Sequence, residues 1–133
     1  MILQEAALKR ATVMVVGSRQ SRPLLEALNK AGARPVLKQS MPKALTALRQ
    51  DRIAAIVVDR ARVGIDALEF VLNVRDVDPR LPVLIVGRSS DRKSDLTLAA
   101  QDATYLVDEP DSHESSVVAA LTGVLAPPGA DHR

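Results

Sequence analysis

The chain has no cysteine, no tryptophan, one tyrosine and one phenylalanine. Without cysteine there can be no disulfide, no thiol nucleophile and no thiolate metal site. Two histidines, His113 and His132, are too few for a zinc centre, and His132 lies at the extreme end of the sequence. His113 has no recognisable serine or cysteine nucleophile motif beside it and reads as a solvated loop histidine. With so few aromatics there is no stacking platform for single-stranded nucleic acid. The 18 basic residues are scattered among 16 acidic ones, a formal charge of +2, so no basic stripe or recognition helix points to nucleic acid either. No apolar run approaches the roughly 18 residues of a membrane span. The opening residues, MILQEAALKR, lack the pattern of a secretory signal. A cytoplasmic location is the expectation, with no nucleic acid and no membrane among the partners.

What the chain does have is short apolar runs alternating with helical patterns. The strongest covers residues 53–72, IAAIVVDRARVGIDALEFVL. Its first six residues are apolar and half of them β-branched or more, as in a central strand covered on both faces. The run stops at Asp59, a carboxylate where the strand leaves the core. A turn over 60–65 follows, then a helix capped by Asp66 with Leu68, Phe70, Val71 and Leu72 as its apolar residues. Because open α/β sheets build their sites at the carboxyl ends of strands, chemistry is sought around Asp59.

The rest of the chain repeats that unit. A strand over 12–16 ends at Gly17-Ser18-Arg19, and Ser21 and Pro23 open a helix with Leu24, Leu25, Leu28 and Ala31 inward, closed by Gly32. A weaker strand over 34–38 has Pro35 near its start, which suits an edge. Ser40 and Pro42 open a second helix with Ala44, Leu45 and Leu48 inward. Strands are further expected over 83–86 and 104–107, with helices from Ser90 or Asp91 to about Gln101, carrying Leu96, Leu98 and Ala99, and from Ser115 to Leu125. The alternation predicts one α/β domain, a five-stranded parallel sheet with helices on both faces and right-handed crossovers. The expected layout is an N-terminal extension over 1–10, the domain over 11–126 and a tail over 127–133.

These residues carry a resemblance. From about Ala11 to Leu125 the chain resembles the receiver domain of bacterial two-component response regulators. Asp59 falls at the phosphoacceptor position, Asp66-Ala67-Leu68-Glu69 in the register of the following helix start, Pro82 to Val86 on the fourth strand, and Pro110 where the fifth-strand Lys-Pro would end. Val63 replaces the family's proline. The resemblance implies a flavodoxin-like, three-layer fold with strand order 2-1-3-4-5 and five helices. It also implies departures at the chemistry. The two acidic positions that hold Mg²⁺ are Gly17 and Ser18, the hydroxyl position after the fourth strand is Gly87, and the lysine position is Glu109. The aromatic switch position falls on Leu106, or on Tyr105 if the register shifts by one.

A hard cation such as Mg²⁺ needs several carboxylate oxygens, so its binding is expected to be weak or absent. Phosphoryl transfer depends on positioning and charge stabilisation, and those groups are missing. The expectation is therefore a degenerate receiver, or pseudo-receiver, with no catalytic residues of its own. It would act by contact with a protein partner, a signalling protein or one resembling a histidine kinase. The alternative is a phosphoacceptor using Asp59 in a phosphorelay. Around Asp59 the strand-end loops carry Arg19, Arg60, Arg62 and Arg88. Three readings stand side by side: an arginine paired with Asp59 or Glu109 in place of the metal, a rim that binds a small anion or nucleotide, or ordinary solvated side chains. The apolar last helix is either core packing or part of a face of fourth helix, fifth strand and fifth helix used for homodimerisation or docking.

Overall fold

The computed structural model describes residues 8–87, 89, 91–107 and 113–125, without the side chain of His113. Residues 1–7 of the expected extension over 1–10, the loop over 108–112 with Glu109 and Pro110, residue 126 and the expected tail over 127–133, and Arg88 and Ser90 lie outside the described residues.

Five strands, β1 (Thr12–Val16), β2 (Arg34–Lys38), β3 (Ala55–Asp59), β4 (Val83–Val86) and β5 (Thr104–Val107), form one parallel sheet in the order β2-β1-β3-β4-β5. The helices are α1 (Arg22–Lys30), α2 (Met41–Gln50), α3 (Ala67–Val77), α4 (Arg92–Ala99) and α5 (His113–Leu125), with short 3-10 turns at Arg19–Ser21 and Arg60–Arg62. The parallel five-stranded sheet is the one the alternation predicted, and its order is the flavodoxin-like one that the resemblance implied.

Successive side chains of a strand point to opposite faces, and that alternation divides the core in two. Met14, Val16, Ile56, Val58, Val83 and Ile85 pack under α2, α3 and α4. Val13, Val15, Ala55, Val57, Leu84 and Val86 pack under α1 and α5. The central strands are fully covered on both sides, which is why they read as unbroken apolar runs. Leu8 is also fully buried in the second cluster, so the polypeptide is tied to the core before Ala11.

Several boundaries differ from the sequence expectation. The third strand covers Ala55–Asp59 instead of 53–58, because Asp59 pairs with Val86 in the ladder while Ile53 only packs at its base. Apolarity reported burial there; the hydrogen-bond ladder runs one residue further. Helix α3 buries Ala67, Phe70, Val71 and Val74, a clean i, i+3, i+4, i+7 stripe, which turns Leu72 outward at 49% exposure. On α4 only Leu98 is buried and Leu96 stands 65% exposed; that helix ends at Ala99. Asp91 is its cap, accepting from the backbone N–H of Lys93 and Ser94. Helix α5 starts at His113, two residues early, and its Val117 and Leu121 are core, with Val118, Val124 and Leu125 packed around them.

At the amino-terminal edge of the sheet one side chain ties two loops together. Arg75 of α3 donates from Nη1 to the carbonyls of Asp78 (3.2 Å) and Leu81 (2.7 Å). From Nη2 it donates to the carbonyls of Asp102 (2.7 Å) and Ala103 (3.0 Å) and to Thr104 Oγ1 (3.1 Å). Its Nε is buried with no partner among the described residues. Burial pushes the guanidinium pKa below its ordinary value, against smaller upward pulls from Asp78, Asp102 and Tyr105.

Candidate functional site

The site is built where β1, β3 and β4 end. Residues 13, 15 and 17 share a face with 55, 57 and 59, so Gly17 and Asp59 come together on the side of α1 and α5. Arg60, one residue on, turns to the opposite side. The pleat thus separates two adjacent charged residues into two different environments.

On the first side, Ser21 Oγ donates to Asp59 Oδ2 at 2.7 Å and accepts from the Ser18 backbone N–H at 3.1 Å. Ser21 is only 1% exposed. The sequence suggested Ser21 as the cap of α1, and it does stand at that position, but its side chain makes no cap hydrogen bond to that helix. Ser18 is the residue that caps, accepting from Gln20 N–H at the start of the 3-10 turn, in a reciprocal capping box with Ser21. The serine is thereby fixed from both ends, and its hydroxyl faces the carboxylate. Gly17 makes room for this. A Cβ there would collide with Ser21 Oγ and lie 3.1 Å from Ser21 Cβ and 3.4 Å from Asp59 Cβ. Its backbone is not left-handed, so space alone demands the glycine.

On the other side, Arg60 Nη1 donates to Asp95 Oδ1 at 2.9 Å and to the Gly87 carbonyl at 3.2 Å. Asp95 Oδ2 in turn accepts from the Ser89 backbone N–H at 3.0 Å. The two side chains of this ion pair are 14% and 17% exposed, so water screens it little. It joins the end of β3 to the loop between β4 and α4. An arginine does pair at the rim, then, but with Asp95, because the pleat turns Arg60 away from Asp59. Replacing Arg60 with alanine leaves Asp95 and the Gly87 carbonyl short of a donor and is expected to cost about 1–2 kcal/mol. Chemical denaturation measures this, with amide shifts of Gly87 and Ser89 as the local report; an unchanged midpoint and unchanged shifts would mean that the pair holds nothing in place.

The remaining expected positions fall as follows. Gly87 has φ +100, so a β-branched hydroxyl residue there would be strained. Arg19 and Arg62 are exposed residues of the two 3-10 turns. Leu106 packs against the cluster beneath α2, α3 and α4, whereas Tyr105, on the opposite face of the same strand, is 42% exposed. Glu109 and Arg88 are outside the described residues. Among the described residues no three acidic or imidazole side chains come together as a metal site. Beside Asp59 opens a cleft of about 240 Å³, between the start of α1 and the start of α5, with Ser21, Val86, Arg62 and Val117 in its lining. Ser21 and Asp95 were not singled out as partners in the sequence. The missing side chain at Gly17 was a signal that some neighbour fills that space, but it did not single out Ser21 over Ser18; nothing local marked Asp95.

No protein-family model matches the sequence, and no curated protein matches it. Solved structures do match in fold. A response regulator receiver protein from Sinorhizobium medicae superposes with a TM-score of 0.70 at 19% identity, over 89% of this chain and 96% of that one. The chemotaxis response regulator CheY4 of Vibrio cholerae gives 0.73 at 22% identity, over 87% and 99%. Full-length FixJ from B. japonicum gives 0.76 at 20% identity, over 92% of this chain and 62% of that one. At these identities the likeness establishes the fold, which is that of receiver domains.

Proposed function

We propose that this chain is an atypical receiver domain that signals by protein–protein contact and is not switched by Mg²⁺-dependent phosphorylation of Asp59. One observation carries the reading. The Ser21 hydroxyl stands against Asp59, in space left by the missing side chain of Gly17. In the family this chain resembles, metal-holding carboxylates occupy positions 17 and 18. Here position 17 supplies no side chain, Ser18 is engaged as a cap, and one carboxylate with a neutral hydroxyl does not fit a cation that takes six oxygens. The Arg60–Asp95 pair supports the same reading, since it fixes the loop after β4 without any phosphoryl group. Partner contact is assigned to the margin of α4, β5 and α5, where Leu96 and Tyr105 are exposed.

The alternative, a phosphoacceptor in a phosphorelay, is favoured by one observation: Asp59 is kept at the end of β3 and is not buried. Incubation with a small phosphodonor and millimolar Mg²⁺, followed by intact-mass measurement, separates the two. The expected result is no added phosphoryl mass and no amide shift with beryllium fluoride. A phosphoryl adduct abolished by Asp59→Asn would overturn the proposal.

A further inference from the structure

We propose that the β2 margin of the domain is a docking surface for a flexible acidic segment of a partner protein. The inference gives the chemistry of one partner contact and rests on the reading that the chain acts through protein contact.

The formal charge of +2 conceals an uneven division. Residues 8–54 hold ten of the 18 basic residues and two of the 16 acidic ones. From residue 55 onward the balance reverses, eight basic against 13 acidic, with the loops over 88–90 and 108–112 included. Before residue 8 the one charged side chain in the sequence is Glu5. The sheet order turns this division of the sequence into a division of space, because β2 and β1, covered by α1 and α2, form one margin of the domain. Of its two acids, Glu26 already faces Arg22 at 3.7 Å.

Cations stand on both sides of that margin. Lys9 lies over Gly32 and Lys30 ends α1, on one face of the sheet. Arg34 and Lys38 alternate with Leu37 of the α1 side, so they face α2, where Lys43 and Arg49 stand. All but Lys38 are exposed, and among the described residues none of these six side chains has an ion-pair partner. One carboxylate, Glu5, cannot neutralise six cations.

Helix stability does not explain the placement. A helix favours cations at its carboxyl end, which suits Lys30 and Arg49 in the last turns of α1 and α2. It disfavours them at its amino end, yet Arg22 and Lys43 stand in the first turns of these two helices, where no acidic residue is found. In the other half α3 and α4 carry Glu69 and Asp95 at the equivalent places. The basic half holds its charge against the local preference, which points to a target outside the chain.

The large exposed hydrophobics, Leu72, Leu96 and Tyr105, all lie outside this half, so it has no apolar anchor for a lipid surface. It contains no aromatic residue on which single-stranded bases could stack. A DNA duplex, stiff over about 150 base pairs, would touch one side of the margin only. A flexible acidic segment can follow it round from α1 to α2. An open groove of about 320 Å³ between β2 and α2, with Lys38, Lys43, Thr46 and Asp51 in its lining, has the scale of single side chains and excludes a duplex.

The test is fluorescence anisotropy of a labelled oligoglutamate of about 12 residues, which spans about 40 Å when extended, titrated with the full chain. Saturable binding that weakens with salt is expected, and none with oligoglutamine of the same length. Lys30→Glu and Lys43→Glu, one from each side, should each weaken the peptide about three-fold, and the double variant about ten-fold. Arg92→Glu with Lys93→Glu makes the same charge change on exposed residues of the other half and should leave binding unchanged within about two-fold. Thermal melts establish that the variants are folded. Absence of saturation, or an equal loss in the Arg92 and Lys93 variant, would overturn the surface. Tighter binding of a labelled DNA duplex would assign it to nucleic acid, and self-association of the chain alone that the Lys30 and Lys43 double variant abolishes would assign it to a second copy; either overturns the proposal. None of these outcomes touches the phosphorylation reading, which intact mass decides separately.

Discussion

Gly17→Asp is expected to destabilise the protein by about 3 kcal/mol, a fall in Tm on the order of 10 °C. Two costs combine. The new Cβ enters space that Ser21 Oγ already fills, and with Ser21 Cβ at 3.1 Å and the residue buried there is no direction in which to relax. Overpacking of that kind costs roughly 1–3 kcal/mol. The new carboxylate also faces Asp59 with no cation between them, and a buried charge without a partner adds its own desolvation cost. The double variant Gly17→Asp with Ser21→Ala removes the collision. It should therefore recover about 1–2 kcal/mol relative to the sum of the single effects, a coupling that distant sites do not show. Thermal and denaturant melts of the four proteins in the cycle measure this. A single variant within about 0.5 kcal/mol of the parent would show the rim to be plastic, and the case for Ser21 as a fixed occupant would fail.

The second large effect is expected at the other end of the sheet. Arg75→Ala removes five hydrogen bonds and strips donors from the carbonyls of Asp78, Leu81, Asp102 and Ala103. Water can reach some of these, so the loss is smaller than five independent bonds would give; about 3 kcal/mol is expected. Arg75→Lys should recover less than half of it. A lysine ammonium is a point charge on a flexible stem, whereas the guanidinium is a planar fork that reaches both loops at once. Urea unfolding should show a lower midpoint with an unchanged slope, since the folded and unfolded surfaces barely change. A lysine variant as stable as the parent would mean that charge, not the fork, is what the loops require.

Much of the fold was legible because its causes are local or periodic. The apolar runs, Gly32 at the end of α1, Ser40 and Asp66 as caps and Pro35 on an edge each follow from what a residue does to its own neighbourhood. Asp59 as the focus of the strand ends was legible for the same reason. Long-range partners were not. Ser21 and Asp59 are 38 residues apart, and Arg60 and Asp95 are 35 apart. Only the pleat of β3, seen in place, shows which of two adjacent charges meets which loop. Arg75 was not singled out in the sequence, because nothing in its neighbours records the two loops that converge on it. Leu72 and Leu96, named in the sequence only as apolar residues of their helices, stand exposed for a simpler reason: hydrophobicity does not force burial when the stripe is already complete.

The two margins of the sheet differ as templates for growth. On β2 the residues that bond to β1 are Arg34, Val36 and Lys38, as the Arg34 N–H to Ala11 and Gly17 N–H to Lys38 bonds show. The outward pair is then Pro35 and Leu37, and proline has no N–H to give. A neighbouring strand laid along this margin would find one donor where two are normal. On β5 the outward pair is Thr104 and Leu106, both with an N–H. Fibre-like stacking of one molecule on the next by strand addition is therefore blunted at one rim, and a head-to-tail ribbon, which must use both rims, is denied its repeat.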